Sequence, residues 1–203
     1  MKHLTLILIT FLTLSVVCFS CNTASQQGEG TATTDTTDVA AQTTEKIEEK
    51  MPEDKSKRPS PPAKVEAKVA DVTVTIDYSQ PAAKGRTIFG DIVPFGEVWR
   101  TGANEATIIT FDKDVLVEGT KLAAGSYALF SIPNEKEWVL IFNTKANQWG
   151  AFEYKQAEDA LRVNVKPIQE KEITERFTIT ATESGIINLQ WDKTKISFKI
   201  QKA

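Results

Sequence analysis

Histidine and cysteine are almost missing from this chain of 203 residues, and the few present sit at one end. The single histidine is His3, and the two cysteines are Cys18 and Cys21. Beyond Cys21 there is no imidazole for a Ser-His-Asp triad, for zinc ligation or for a His general base. A thiol nucleophile and an internal disulfide are excluded there as well. Long apolar runs are scarce. The run from Leu4 to about Phe19 covers about 16 residues, short of the roughly 20 a membrane-crossing helix needs. Neither charge sign dominates. The 24 Lys and Arg stand against 27 Asp and Glu, a net charge of −3, so nothing points to nucleic acid or an anionic surface as partner. Nucleotide signatures are missing too. The only Gly-x-Gly is Gly28-Glu29-Gly30, with no strand pattern before it. No P-loop, Gly-x-Ser-x-Gly or Ser-x-x-Lys occurs, and no cofactor is expected. Asp112-Lys113-Asp114 puts two carboxylates in a turn but lacks the rest of a calcium loop, so no metal site is expected.

What is present divides into three parts. Residues 1–20 read as a signal peptide: basic Lys2, a short apolar stretch, and small Ser20 before Cys21. The segment resembles the lipobox of bacterial lipoproteins. It does so in a loose form similar to that of Bacteroidetes-type proteins, since Cys18 and Phe19 stand where Leu and a small residue are commoner. The expectation is cleavage before Cys21, diacylglycerol on its thiol with an amide-linked acyl chain such as palmitate, and anchoring at the cell envelope, on the periplasm-facing side of the outer membrane, with surface exposure as the other placement. An ordinary secretory signal or an uncut anchor is the alternative.

Residues 21–64 follow as a tether. From Asn22 to Lys64 there is no aromatic residue, while eight Thr, four Pro, eight acidic and six basic residues are present. Such a stretch buries too little apolar surface to offset its chain entropy, so it is expected to stay disordered. Its end, Lys57-Arg58-Pro59-Ser60-Pro61-Pro62, is stiffer because proline favours an extended backbone.

From Val65 the period becomes two. Val72, Val74, Ile76 and Tyr78 alternate with Thr73, Thr75 and Asp77, and Val65, Ala67 and Val69 alternate on the other parity. A turn or bulge at Ala70–Asp71 reconciles them. Further strands are expected at 106–111, 115–117, 125–132, 138–143, 161–166, 173–181, 186–191 and 196–200. Turns are expected at 112–114, 118–119, 133–134, 184–185 and 192–193. One short helical stretch is expected around 148–160. Residues 65–203 are therefore expected to form a single all-β sandwich of about nine short, mostly antiparallel strands.

Pro81 to Glu105 breaks this rhythm with four glycines and two prolines. Its apolar Ile88, Phe89, Val93, Phe95 and Trp99 indicate an ordered loop, and ordered loops on a rigid sheet often carry sites.

The same loop carries a family resemblance. Tyr78-Ser79-Gln80-Pro81, Lys84-Gly85-Arg86, Ile88-Phe89-Gly90 and Val93-Pro94-Phe95-Gly96 are its first motifs. The run from Trp99 to Thr107 is its longest, and 124–130, Trp149-Gly150 and Asp159 to Val163 continue it. Together they resemble the bacterial family of unknown function numbered 2911, over about residues 65–203. The resemblance implies a secreted or lipid-anchored domain and supplies no catalytic residues.

The chemistry left is that of carboxylate, Arg, Lys, Tyr and Ser. Arg86 and Arg100 are candidates to grip an anion bidentately, with Asn104 and Glu105 orienting polar groups. Tyr78, Trp99 and Trp149 are candidate faces for a sugar ring or apolar ligand. The structural alternatives are an ion pair of Arg100 with Glu105 or Glu97 that pins the loop, and core burial for Trp99, Trp138, Trp149 and Trp191. Glu97 with Glu105 as a glycosidase pair has no support in spacing. The leading expectation is a non-catalytic envelope module that binds a small polar ligand, anionic or glycan, near the 86–105 loop. A hydrolase using carboxylate or Tyr/Lys chemistry, and a structural subunit docking another envelope protein, are the alternatives.

Overall fold

The computed structural model describes residues 53–203, so the signal segment, Cys21 and most of the tether lie outside the described residues. The fold is an all-β sandwich of ten strands in two antiparallel sheets. The strands are β1 (Pro62–Val69), β2 (Val72–Ser79), β3 (Thr107–Phe111), β4 (Val115–Val117), β5 (Thr120–Leu122), β6 (Gly125–Ile132), β7 (Trp138–Asn143), β8 (Asp159–Val165), β9 (Ile168–Ala181) and β10 (Ile186–Lys202). One sheet runs β1-β2-β3-β6-β7-β8, and the other runs β5-β4-β10-β9.

The opening hairpin follows from its alternation. Val72, Val74, Ile76 and Tyr78 are buried while their neighbours face outward. Ala70, at φ 55°, turns the chain so that Val69 pairs with Val72. The strand starts earlier than the apolar pattern does. Pro62, Ala63 and Lys64, expected at the end of the tether, pair with Ser79, Tyr78 and Asp77. Backbone pairing with β2 recruits them although their side chains carry no strand signal.

Three other expectations need correction. The two strands expected at 186–191 and 196–200 are one strand, β10. Ile187, Leu189 and Trp191 are buried on odd positions, and Ile196, Phe198 and Ile200 on even ones. The register against β9 shifts on both sides of Asp192, which sits at φ 52°. A bulge that inserts residues changes the parity without ending the strand, and in sequence that phase change looks like a turn. Second, β5 was not expected. Glu118 (φ 48°) and Gly119 (φ 80°) form the two-residue turn that pairs Val117 with Thr120, but a three-residue strand with one buried side chain shows no period. Third, the helix around 148–160 is absent. Only a single 3-10 turn at Gln156–Glu158 forms there, and β8 begins at Asp159.

One large core cluster draws buried residues from both sheets and from the long β2–β3 connection. At its centre Trp99 stacks on Trp191 at 5.9 Å, and Phe89 meets Trp138 edge-on at 4.7 Å. The connection is therefore packed at its two ends and through Ile88, Phe89, Val93 and Trp99, while 84–87, 90–92 and 94–97 are exposed. The amide of Ala83 donates to Glu175 O, and Pro81 O accepts from Phe177 N, both on β9. Trp99 then exchanges two backbone hydrogen bonds with Ser131, at the end of β6. A smaller cluster lies on the outer face of the six-stranded sheet. There Phe130 and Ile141 are covered by Val98, Ala151 and Tyr154. That second layer brings the β7–β8 connection down onto the sheet.

Candidate functional site

Beside this second layer the outer face of β2 and β3 forms the floor of a groove of about 490 Å³. Asp77 and Ser79 reach it because they share the parity opposite to core-facing Tyr78. Ala106 and Ile108 supply its apolar floor, and Asn147, Gln148 and Trp149 one wall. The wall is held by main-chain pairing: Gly150 N donates to Asn104 O at 3.0 Å, and Ala106 N to Gln148 O at 2.9 Å. Gln148 is only 6% exposed, and its Nε2 donates to Asn143 Oδ1 and Lys145 O. Its buried Oε1 accepts from no protein group among the described residues. Trp149, by contrast, is 55% exposed.

The arm before β1 reaches the groove through Lys55 and meets its wall at Trp149. Arg58 Nη1 donates to both carboxylate oxygens of Glu105, at 3.0 and 2.9 Å. Its guanidinium also lies 5.6 Å from the centre of the Trp149 ring. Nε and Nη2 donate to Glu53 at 2.8 and 2.6 Å. Lys55 Nζ reaches Glu105 at 2.8 Å. Burial alone would raise the Glu105 carboxyl. Hydrogen bonds from Lys55, its own backbone amide and Arg58 outweigh that and hold its pKa down at about 2. Asn104, in the left-handed region at φ 61°, turns its carboxamide to donate to Ser60 O at 3.1 Å and Ser79 Oγ at 3.3 Å.

Of the residues singled out from sequence, Asn104, Glu105 and Trp149 come together here. The others do not join them as side chains. Tyr78 borders the groove, but its side chain belongs to the core, where its hydroxyl accepts from Ile179 N at 3.1 Å and its ring meets Phe177 edge-on. Trp99 is buried, with its indole N–H donating to Gly102 O. Arg86 folds back onto its own loop and donates to Ala82 O and Ala83 O. Arg100 is half-buried, and burial lowers its pKa. The expected ion pair of Arg100 with Glu105 or Glu97 does not form; Glu105 pairs with Arg58 and Lys55. Glu97 is exposed and does not line the groove, which removes the glycosidase pairing. Core burial holds for Trp99, Trp138 and Trp191 and fails for Trp149.

Lys55, Arg58 and Gln148 were missed. Arg58 and Lys55 lie in a stretch whose composition resembles spacer, and Gln148 in one read as helix. The phrase Lys57-Arg58-Pro59 was the available signal: a long cation fixed on an extended backbone.

A second polar cluster closes the β7–β8 connection. Asp159 accepts from Asn143 Nδ2 at 2.9 Å, Tyr154 Oη at 2.7 Å and Arg162 Nε at 2.8 Å. Every one of these contacts is internal, so the cluster fixes the loop. Among the described residues no group of His, Cys, Asp and Glu is arranged to hold a metal.

The family described as "Protein of unknown function (DUF2911)" matches the chain over residues 60–200. The chain belongs to this family. No curated protein and no solved structure matched it. The DUF2911 match contains the groove floor, Asn104, Glu105 and Trp149, while Lys55 and Arg58 lie just before it.

Proposed function

We propose that the protein is a lipid-anchored protein of the cell envelope whose sandwich is a non-catalytic binding module, with its ligand seated in the groove between Asp77 and Trp149. The observation that carries this reading is an exposed tryptophan beside a groove with an apolar floor and a polar rim. An aromatic face takes the C–H side of a sugar ring, and Asp77, Ser79 and Asn147 suit its hydroxyls. A neutral polar ligand of oligosaccharide type fits this lining better than an anion, since Arg86 and Arg100 do not line the groove and Lys55, which does, is paired with Glu105. Glu105 argues against hydrolysis. A carboxyl held ionised down to pH about 2 and capped by two cations is a poor general acid.

Titration of the full chain in detergent with envelope-derived oligosaccharides tests the site. A saturable change in tryptophan emission, lost in Trp149→Ala, is expected. A flat response across the oligosaccharides overturns the reading. The envelope part rests on Lys2, the short apolar run and Cys21, with the anchor on the periplasm-facing side of the outer membrane. Palmitate labelling and membrane fractionation test it. Both are expected to be lost in Cys21→Ser, and retention in that variant refutes the anchor.

A further inference from the structure

The arm from Glu53 to Pro61 buries no residue of its own, and Glu53 to Lys57 are exposed throughout. One side chain is the exception: that of Arg58 is only 12% exposed. Within the arm, Glu53 accepts from its Nε and Nη2, and Lys55 shares Glu105 with it. Glu105 supplies both carboxylate oxygens to one guanidinium nitrogen, and Trp149 supplies a ring face. Asn104 reads the backbone through Ser60 O, and Gln80 N donates to Pro61 O at 2.9 Å. Arg58 itself lies at φ −66° and ψ 148°, the extended conformation expected of a residue before proline.

A carboxylate, an aromatic face and a carboxamide aimed at a peptide carbonyl are the components of a site for arginine in an extended peptide. We propose that Glu105, Trp149 and Asn104 form a receptor for an arginine carried on an extended, proline-flanked peptide, and that Arg58 is its resident, exchangeable occupant. The site grips guanidinium chemistry and main chain, neither of which is particular to this arm. The arm adds no apolar anchor that would make its dwelling permanent. A partner protein presenting an Arg-Pro segment competes for the same place, and its binding releases Arg58 from Glu105 and Trp149. The ligand is a peptide whose arginine shares Trp149 with the oligosaccharide groove, and its test is read without oligosaccharide, so either proposal can fail alone.

The test uses the full chain and a synthetic peptide of residues 55–60, Lys-Ser-Lys-Arg-Pro-Ser, with intrinsic tryptophan fluorescence as readout. The peptide has no aromatic residue, so Trp149 reports on it. Arg58→Ala empties the site and is expected to bind the peptide saturably. Wild type is expected to need at least about tenfold more peptide, because a tethered competitor acts at high effective concentration. Binding is expected to vanish in Arg58→Ala with Glu105→Gln, and with a peptide carrying citrulline for arginine. Failure of folded Arg58→Ala to bind, or equal binding of the citrulline peptide, overturns the proposal. If Arg58→Ala does not fold, wild type at high peptide decides. A saturable emission change with the arginine peptide alone supports exchange, and its absence refutes it.

Discussion

Replacing Glu105 by glutamine removes the charge at the centre of the arm's contact while keeping the side chain's size. The Glu105 pKa falls from an ordinary 4.5 to about 2 in the folded chain. Taken in full, such a depression corresponds to about 3 kcal/mol. The carboxylate is 36% exposed, however, and solvent screening reduces the useful part to about 1 kcal/mol. Because the folded value lies below the unfolded one, this stability is fully present above pH 4.5 and drains away as the pH falls through about 2. Urea unfolding at pH 7 is expected to place the midpoint of Glu105→Gln about 0.5 M below wild type, given a slope of about 2 kcal/mol per molar. The gap is expected to narrow steadily below pH 4.5 and to close near pH 2. A gap that persists unchanged at pH 2.5 would mean that glutamine disturbs packing and that charge is not the cause. No gap at pH 7 would mean that the Glu105 charge contributes nothing to the folded state, and the reasoning would fail at its first step.

Gly185→Ala tests the β9–β10 turn. A Cβ there meets Ile200 O at 2.1 Å, on a backbone at φ +85°, so a loss of about 3 kcal/mol and about 10 °C in Tm is expected. A drop under about 3 °C refutes it. Thr107→Val removes the buried hydroxyl that donates to Thr101 O at 2.5 Å, and calorimetry is expected to show a cost of about 1–2 kcal/mol. An unchanged Tm would show that the end of the long connection is held by packing alone. Acrylamide quenching is expected to find one accessible tryptophan among four, and Trp149→Phe is expected to abolish that component. A quenchable component that survives in Trp149→Phe contradicts the exposed placement of Trp149.

Much of the sandwich was legible because a strand with one buried face writes its period locally. Val72 to Tyr78 and 125–132 needed no distant information, and Ser184-Gly185 marked its own turn. Asp192 misled because a bulge and a turn leave the same mark, a change of parity. The long connection could be recognised as ordered from Ile88, Phe89 and Trp99. Its apolar residues say that it packs, but they do not say which of its charged residues reach the groove. Arg100 and Arg86 looked as suitable as Glu105, and only the return to Ser131 on β6 settles which side chains remain available. Arg86 satisfies its donors on neighbouring carbonyls, which no spacing rule reveals.

Residue order was enough for most of the strand pattern, for the absence of imidazole and thiol chemistry from the domain, and for the family. All of these rest on residue type and short-range order. Tertiary structure alone decided that Arg58 and Glu105, 47 residues apart, share one contact over Trp149. The reason is geometric. The outer face of β2 and β3, the β7–β8 connection and the arm before β1 are brought together by sheet pairing. An arm with the composition of a spacer acquires a partner only where that pairing places a carboxylate and an indole within reach.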